Sequence, residues 1–371
     1  MPPHPDQPYN ALPDLPPRTR VETAAVLREA IRANRLLAEL KGFCQTLPNP
    51  EILLRTVILQ ESRDSSAVEN IVTTQDELFR AAADRESLKS ATPEAKEVMR
   101  YTEAVDEGMR QMERTGAITT AVMVRVMQVL KNTTAEVRQL PGTKLVNPTT
   151  GRVTYTPPEG EALLRDKLAR LEQFLNMHEE PPYDPLVMMA LMHYQFEAIH
   201  PFADGNGRTG RILNVLYLLQ TQRLSVPILY LSGFVMQHRD EYYRRLREVT
   251  EKDAWGEWVL YMLRAVAETS IGTLDRVRRM QELRAEYLER ARDAVGRAPA
   301  REIVDLMFSY PYLKINTLVN QAIGGRQAVS RYLHSLAKGG LLMPIKAGRD
   351  IYFVNHRLMA LFSEPLQIVE Q

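Results

Sequence analysis

Apolar residues recur at three- and four-residue spacing along most of the chain, and this spacing predicts a mainly helical protein. The helical pattern starts near Val21, and no repeat period relates its segments to one another. The predicted helices cover about 21–42, 50–63, 75–83, 93–114, 119–131, 160–177, 184–199, 208–222, 237–250, 253–269 and 273–295.

Residues 142–158 interrupt the helical pattern and predict a β-hairpin. Two β-prone runs, Lys144–Val146 and Val153–Thr156, stand on either side of the turn-forming sequence NPTTG at 147–151. The pattern therefore predicts a mainly α protein with a small β element in the middle of the chain.

The segment from about 299 to 360 predicts a small separate unit. Three helices followed by a hairpin is the element order of a winged helix. The predicted elements are, in order, helices at 301–309, 315–322 and 326–339 and β-prone runs at Leu341–Ile345 and Ile351–Val354 around a turn at 346–350.

The N-terminus differs from the rest because it is rich in proline. Seven of the first 17 residues are proline, which lacks an N–H and has a fixed φ, so neither a helix nor a strand ladder is expected there. The sequence predicts an extended, flexible arm at 1–20.

Composition narrows the class of protein. The chain has 371 residues, of which 44% are hydrophobic and 25% charged, as is typical of a globular protein of two or three domains. With a net charge of +1, the protein as a whole is not attracted to nucleic acid or to an anionic membrane. Binding to either would therefore require a local positive patch.

Cysteine content and apolar runs bear on the compartment. The single cysteine, Cys44, can form neither an internal disulfide nor a multi-cysteine zinc site, and it favours a reducing compartment. The N-terminal sequence lacks the basic and apolar parts of a signal peptide, and no apolar run is long enough to span a membrane. These features predict a cytoplasmic protein without a membrane partner.

The most informative chemistry lies in a loop between two predicted helices, where residues 198–211 read AIHPFADGNGRTGR. Pro201 disfavours helical geometry in the residue before it, so one helix is expected to end at His200. Gly205 and Gly207 let the backbone approach a ligand closely and turn its N–H groups inward. Free N–H groups at a helix N-terminus bind anions, above all phosphate.

The side chains of this loop fit the transfer of a phosphate-containing group. Arg208 and Arg211 are three residues apart on the first turn of the next helix and can reach one anion. Asp204 is a hard oxygen ligand suited to Mg²⁺ beside phosphates, and His200 can accept a proton near neutral pH. Together these groups predict phosphoryl or nucleotidyl transfer.

Other interpretations of this region are weaker. The glycines of GNGRTG have the spacing of a dinucleotide-binding fingerprint, but that loop follows a buried strand and here a helix precedes it. His193, Glu197 and His200 share one helix face and could suggest zinc. However, the sequence lacks HExxH, and a histidine such as His193 is more often a satisfied core or surface residue.

The twelve residues at 200–211 match every fixed position of the motif H-x-F-x-[D/E]-G-N-G-R-x-x-R, so the chain resembles the Fic/Doc family. The resemblance extends downstream to the PILYLS sequence at 227–232, to residues 239–243 and to Trp255 and Trp258. The predicted fold is therefore a Fic-type helical core with a β-hairpin flap, plus a C-terminal winged-helix domain.

The resemblance implies a protein adenylyltransferase that moves AMP from ATP onto a Ser, Thr or Tyr hydroxyl of a target, or of itself, and releases pyrophosphate. His200 would be the general base, and Asp204 would hold Mg²⁺, the cofactor, on the α- and β-phosphates. Arg208 would hold the β-phosphate side, and Arg211 the γ-phosphate. The resemblance assigns to ATP the residues Glu69, His200, Gly205, Asn206, Gly207, Arg208, Thr209, Gly210, Arg211 and Tyr243.

Two of the implied roles concern the surroundings of the loop. Phe202 would anchor the loop in the core, and Tyr243 would line the adenosine pocket, with an ordinary amphipathic helix face as the equal alternative. The hairpin at 142–158 lies where the family has its target-binding flap. The family often has G-x-Y-R there, whereas this chain has GTKL at 142–145, which leaves the choice of target open.

Residues 65–70 read SSAVEN and resemble the inhibitory motif [S/T]-x-x-x-E-[G/N] of the family. Alone, this short match is weak, and an exposed helical glutamate is the alternative. With the catalytic loop present, the resemblance implies that Ser65, Glu69 and Asn70 are inhibitory. Glu69 would pair with Arg211, so that Arg211 cannot take the γ-phosphate.

The chain is thus expected to have five parts. They are a flexible arm at 1–20, an N-terminal helical region with the inhibitory motif at 21–118, a Fic catalytic domain at 119–270, a helical linker at 271–298 and a winged-helix-like domain at 299–371.

The C-terminal unit is more basic than the rest. Residues 301–357 contain eight Lys or Arg and three Asp or Glu, so their net charge is 8 − 3 = +5. Such a unit suits DNA recognition, and protein contacts or dimerisation suit it equally. Polar residues near one face of its third helix are Arg326, Gln327, Ser330, Arg331 and His334.

Two classes of function therefore stand: an autoinhibited adenylyltransferase and a DNA-binding regulator with a Fic core. The intact motif favours the enzyme, because a regulator would be free to lose His200 or Arg211. Within enzymes, the same loop could transfer another phosphate-containing group or remove AMP. The expected partners are ATP and protein hydroxyls, with DNA and a second copy of the chain left open.

Overall fold

The structure is a computed structural model that describes residues 3–47, 50–83, 85–147, 150–177, 181–347 and 350–364. It is mainly helical, as the apolar spacing predicted. The helices are α1 (Ala24–Gln45), α2 (Pro50–Val68), α3 (Gln75–Ala81), α4 (Arg85–Ser90), α5 (Pro93–Thr115), α6 (Thr120–Lys131), α7 (Glu161–Leu175), α8 (Pro185–Ile199), α9 (Asn206–Gln220), α10 (Leu231–Gln237), α11 (Arg239–Lys252), α12 (Trp255–Val295), α13 (Arg297–Ser309), α14 (Ile315–Asn320), α15 (Arg326–Lys338) and α16 (His356–Ser363). The strands are β1 (Leu145–Val146), β2 (Val153–Tyr155), β3 (Tyr312–Leu313), β4 (Met343–Ala347) and β5 (Asp350–Val354).

Helices α8 and α9 form the centre of the core. The sequence of α8, PLVMMALMHYQFEAI, is apolar on nearly all sides, and a helix of this pattern is stable when it is buried all round. Helix α9 packs along α8, with α5 and α6 against α9 and with α7 and α12 against α8. The loop that joins α8 to α9 therefore has two fixed ends.

The two β elements have the predicted places. Strand β1 pairs antiparallel with β2. In the C-terminal unit β4 and β5 form the predicted hairpin, and the unpredicted β3 pairs with β5 to give the order β3-β5-β4. Residues 148–149 and 348–349 of the two predicted turns lie outside the described residues.

The C-terminal unit packs against the N-terminal helices instead of standing apart. The ring of Phe362 in α16 lies 6.1 Å from that of Phe79 in α3. The hydroxyl oxygens of Tyr352 and Ser87 are 3.0 Å apart. Helix α13 also packs on α2, whose last four residues are the first four of the SSAVEN segment.

The prediction of separate helices at 253–269 and 273–295 is wrong, because α12 runs unbroken through the intervening ETSIGT sequence. Serine, threonine and glycine are weak helix formers, which explains the predicted break. In the fold these residues are buried, and the hydroxyls of Thr269 and Ser270 donate to the carbonyls of Ala265 and Val266 at 2.6 Å. Burial and these bonds override the local preference.

The proline-rich arm contains neither helix nor strand over residues 3–20, as expected, but it is docked, in contrast to the flexible arm predicted. The Tyr9 N–H donates to the Thr156 carbonyl at the end of β2 at 3.0 Å. The Lys167 ammonium on α7 donates to the Leu12 carbonyl at 2.6 Å. Within the described ranges, no helix is long and apolar enough to cross a bilayer.

Candidate active site

The loop between α8 and α9 is held in a defined shape by its own backbone. Helix α8 ends at Ile199, and His200 follows with φ 49° and ψ 58°, in the left-handed region. Gly205, with φ 83°, precedes α9, which starts at Asn206, two residues earlier than predicted. Glycine suits this position because a side chain is strained at positive φ.

Asn206 fixes the loop with its side chain. Its Nδ2 donates to the Phe202 carbonyl at 2.8 Å, and its Oδ1 accepts from the Phe202 N–H at 2.9 Å. Phe202 is fully buried, as its expected anchoring role requires. The side chain of Asn206 thus shapes the loop, and only its backbone is left to face an anion.

Two residues outside the motif connect the loop to the flap region. The Arg138 backbone N–H donates to the Pro201 carbonyl at 2.9 Å, and the Arg138 Nε donates to the His200 carbonyl at 2.8 Å. The Tyr155 hydroxyl in β2 donates to the Ala198 carbonyl at 2.8 Å. The flap and the catalytic loop are therefore one connected structure.

His200 is partly buried and its imidazole is neutral at pH 7. Burial and then the nearby positive charge of Arg138 lower its pKa to about 4. Its Nδ1 atom is buried without a hydrogen-bond partner among the residues that the structure describes. A neutral imidazole has one ring nitrogen without a hydrogen, and this nitrogen can accept a proton.

Several other buried polar atoms around the start of α9 also have no hydrogen-bond partner in the described part of the chain. Buried polar groups are nearly always hydrogen-bonded, so a cluster of unpaired ones indicates where a polar ligand binds. Arg208 and Arg211 are 1% and 2% exposed, which makes unpaired guanidinium nitrogens costly unless an anion arrives. The unpaired atoms are Glu197 Oε1, Arg208 Nε, Thr209 Oγ1 and Arg211 Nη1.

Arg211 contacts the SSAVEN segment at the end of α2. Its Nε donates to the Ser65 hydroxyl, and its Nη2 donates to the Ser65 carbonyl and to Glu69 Oε1, each at 2.8 Å. Burial disfavours the Arg211 charge, but the Glu69 carboxylate more than offsets this and raises the Arg211 pKa. The predicted Glu69–Arg211 pair is present in the structure.

The Glu69 carboxylate also lies against the first turn of α9. A Cβ atom built on Gly207 would be 2.2 Å from Glu69 Oε1. Only glycine therefore leaves room for an acidic group at this point. The carboxylate occupies the kind of place that an anion takes at a helix N-terminus.

The backbone at Asn70 explains the last position of the SSAVEN segment. Asn70 has φ 61°, and the next residue, Ile71, donates its N–H to the Ser66 carbonyl at 3.0 Å. This is a Schellman-type helix end, whose left-handed position favours Gly or Asn. Asn70 thus ends α2 and directs Glu69 toward α9. Within the described residues, Glu69 and not Asn70 bonds to Arg211.

Asp204 belongs to a chain of four charges. Its Oδ1 accepts from the Gly205 N–H at 2.6 Å, and its Oδ2 lies 2.6 Å from the Lys131 ammonium. Lys131 is also 2.7 Å from Glu97 Oε1, which in turn lies 2.8 Å from Arg208 Nη1. Burial would raise the pKa of Asp204, but Lys131 and the Gly205 N–H lower it overall.

These residues fit magnesium only together with a nucleotide. Within the described ranges, no three His, Cys, Asp or Glu side chains gather to hold a metal ion. Asp204 offers one exposed carboxylate, and Mg²⁺ in such sites is bound by one or two carboxylates plus substrate phosphates. The zinc alternative has no support in the described part of the chain, where His193, Glu197 and His200 do not gather into a group that could hold a metal ion.

His193 and Glu197 have different surroundings. His193 Nε2 is 2.8 Å from the Tyr242 hydroxyl, Asn214 Nδ2 is 3.2 Å from His193 Nδ1, and the ring stacks on Trp258, so this histidine is a satisfied core residue. Burial raises the pKa of Glu197 to about 8.

Tyr243 lies close to the Glu69–Arg211 pair. It is 42% exposed, and its ring packs beside Tyr242 at 5.1 Å. Burial and then the charge of Glu69 raise its pKa to about 12. The structure therefore places Tyr243 at the edge of the site, and its contact with adenosine stays a prediction.

Sequence reasoning missed Glu97, Lys131, Arg138 and Tyr155. Glu97 belongs to α5 and is distant from the motif along the chain. Lys131 is the last residue of α6. Because a cation is favoured at the C-terminus of any helix, a lysine at this position does not by itself indicate a function. Only the packing of α5 and α6 on α9 brings these charges to the loop.

Comparison with protein families divides the chain into three matched parts. Residues 27–110 match the profile described as Fic/DOC family N-terminal, and residues 117–218 match the profile described as Fic/DOC family. Residues 283–358 match the profile described as protein adenylyltransferase SoFic-like, C-terminal domain.

Curated relatives include a protein adenylyltransferase Fic from Culex quinquefasciatus, 33% identical over 118 residues, or 32% of this chain and 21% of that protein. A protein of the same name from Drosophila melanogaster is 33% identical over 118 residues, or 32% of this chain and 22% of that protein. The match spans about a fifth of the length of these relatives.

Solved structures share the fold. A Fic family protein from Desulfovibrio desulfuricans G20 has a TM-score of 0.58 at 18% identity and covers 92% of this chain and 98% of its own. A Fic domain containing signaling protein from Bacteroides thetaiotaomicron has a TM-score of 0.52 at 16% identity, over 66% of this chain and 94% of its own. The complete loop motif, the three matched profiles and this fold agree, and the chain belongs to the Fic/DOC family.

Proposed function

We propose that this protein is an adenylyltransferase that moves AMP from ATP onto Ser, Thr or Tyr hydroxyls of target proteins and of itself. The observation that carries the proposal is the set of buried, unpaired polar atoms around the start of α9, which includes His200 Nδ1, Arg208 Nε and Arg211 Nη1. These atoms can accommodate an anion beside a neutral base. The names of the curated relatives and of the C-terminal profile support the same reaction.

His200 supplies the proton transfer in this proposal. Its neutral imidazole takes the proton of the target hydroxyl as the hydroxyl oxygen attacks the α-phosphorus of ATP. A new P–O bond forms, the bond from the α-phosphorus to the bridging oxygen breaks, and pyrophosphate leaves. The hydrogen bonds of Arg138 and Asn206 hold the loop so that base and phosphate keep one geometry.

The start of α9 and its arginines bind the phosphates. The backbone N–H groups after Gly205 face outward from the helix end, and the helix dipole favours negative charge there. Arg208 and Arg211 take the β- and γ-phosphate sides. Mg²⁺, held by Asp204 and the phosphates, would neutralise charge on the leaving pyrophosphate.

Glu69 restrains this activity. Its carboxylate engages Arg211 at 2.8 Å and lies beside Gly207, so a γ-phosphate and Glu69 compete for one guanidinium and one helix end. ATP then binds only in a pose unsuited to in-line attack. The enzyme is therefore autoinhibited until Glu69 moves.

Labelled ATP tests the proposal. The protein is incubated with cell lysate and ATP that carries the label in the α-phosphate, in the γ-phosphate or in the adenine ring. Protein-bound label from the α-phosphate and the adenine, none from the γ-phosphate, and loss with His200→Ala are expected. Label from the γ-phosphate would indicate phosphate transfer instead, and release of AMP from pre-labelled protein would indicate the reverse reaction.

A second function, DNA binding, is favoured by the composition of α15. The helix RQAVSRYLHSLAK contains no acidic residue, and its Arg326, Arg331 and Lys338 are exposed. A groove of about 570 Å³ beside it is lined by Ile315, Arg326, Gln327, Ser330 and Arg331. We propose that this basic face binds the phosphate backbone of duplex DNA.

A further inference from the structure

Lys131 holds the atom of Asp204 that an incoming metal ion would need. Both Asp204 carboxylate oxygens are engaged, Oδ1 by the Gly205 N–H at 2.6 Å and Oδ2 by the Lys131 ammonium at 2.6 Å. The Gly205 bond belongs to the shape of the loop. The lysine bond joins two side chains and can be exchanged.

The rest of the Lys131 side chain is fixed on the loop. Its Cγ and Cδ atoms lie 3.2 and 3.3 Å from where a Cβ of Gly205 would be. Lys131 is the last residue of α6, so its backbone is fixed as well. Only the terminal ammonium has freedom to move.

Glu97 already binds the ammonium together with Asp204. Its Oε1 is 2.7 Å from Lys131 Nζ and 2.8 Å from Arg208 Nη1. When the ammonium leaves Asp204, it therefore keeps one carboxylate partner and does not become an unpaired charge. The positive charge of Lys131 stays near the phosphates in both positions.

We propose that Lys131 is a placeholder cation: it neutralises Asp204 in the ATP-free enzyme and yields Asp204 Oδ2 to the divalent metal that accompanies ATP, with Glu97 as its alternative partner. Lys131 and Glu97 are thus positioning residues that set how strongly the site takes its metal. This inference rests on the proposed function, because it requires a metal–nucleotide complex as the ligand.

The proposal predicts opposite effects for two charge-removing substitutions. Lys131→Met keeps the stem on Gly205 and removes the competitor, so Asp204 should bind the metal more tightly. Glu97→Gln removes the alternative partner and leaves Lys131 on Asp204, so the metal should bind less tightly. Ion pairs of this exposure are weak, and each change should shift the half-saturating metal concentration by about two- to fivefold.

Mn²⁺ binding measured by electron paramagnetic resonance tests this without turnover. Mn²⁺ is titrated into full-length protein with an ATP analogue that has a methylene group between the α- and β-phosphorus atoms. Glu69→Gly is present throughout, so that Glu69 does not restrict the analogue. Lys131→Arg and Lys89→Met, at an exposed lysine of α4, serve as controls and should bind Mn²⁺ as their parent does.

Each outcome decides one question. Tighter Mn²⁺ binding by Lys131→Met with weaker binding by Glu97→Gln supports the placeholder role. Unchanged binding in both variants, or weaker binding in both with normal circular dichroism, overturns it, since a merely structural or phosphate-binding lysine would give these results. If the parent binds no Mn²⁺–analogue complex at all, the proposed function fails instead.

Discussion

His200 obtains its proposed chemistry from its surroundings as much as from its residue type. It follows the end of α8 in a left-handed conformation, its carbonyl is held by Arg138, and its Nδ1 has no partner among the described residues. Burial keeps the imidazole neutral. Because contacts on both sides fix the loop, the base is already oriented when the substrate binds, and no entropy is lost in orienting it at each turnover.

Replacement of His200 by alanine should abolish transfer and leave the fold intact. Removal of a general base costs about 10²–10⁴-fold in rate, and within the described loop no other base is assigned. Transfer of α-labelled AMP is measured in the Glu69→Gly background, with circular dichroism as the folding check and exposed His334→Ala as the matched control. More than a tenth of the parental rate would exclude His200 from this role.

The pH profile should report the lowered pKa of His200. The base form persists down to the folded pKa of about 4, so the rate should stay level from pH 8 to pH 6 and fall only as the pH approaches 4. An ordinary histidine would lose activity near pH 6.5. Initial rates at saturating Mg²⁺–ATP distinguish the two, and an acidic limb centred near 6.5 would contradict the buried, neutral imidazole.

At the scale of elements, the end of α2 and the start of α9 face one another. The left-handed Asn70 ends α2 directly after Glu69, and the missing side chain at Gly207 leaves room for the carboxylate. The acidic group and the helix N-terminus attract each other even without ATP. In the proposed function, inhibition is therefore a property of how these two helix ends meet.

Glu69→Gly should raise AMP labelling of targets and of the protein itself, because it frees Arg211 for the γ-phosphate. The double variant Glu69→Gly with Arg211→Ala should lose that gain, since both side chains act on one phosphate. Glu113→Gly, at an exposed acidic residue near the end of α5, is the control. Equal labelling by the single and double variants would show that the Glu69–Arg211 pair does not limit activity.

The features that could be predicted from the sequence are those whose physical cause acts within a few residues. The ends of α8, the glycines at 205 and 207 and the hairpin follow from proline, glycine and β-propensity, which act within a few residues, and the structure has them. The single helix α12 and the docked arm depend on burial by distant segments. The same holds for Lys131 and Glu97, whose role arises only because α5 and α6 pack on α9.

At the scale of the whole molecule, the C-terminal unit is fixed to the N-terminal helices through α13, α16 and the sheet. On one side of α15, Val329, Leu333 and Leu336 are buried in the unit. The basic side chains of the helix lie on its other side and are exposed. A rigidly mounted basic helix in a chain of net charge +1 is a local patch of the kind that nucleic acid binds.

The full-length protein should therefore bind duplex DNA through α15. Affinity, measured by fluorescence anisotropy at two salt concentrations, should fall steeply with salt, because each neutralised phosphate releases about 0.9 counterions. Arg326→Ala and Arg331→Ala should each weaken binding and reduce the salt slope by about one counterion, whereas Arg114→Ala, at an exposed site on α5, should not. If the folded protein binds no DNA at low salt, the groove beside α15 is better explained as a contact surface for protein, because its charge is then not used for phosphate.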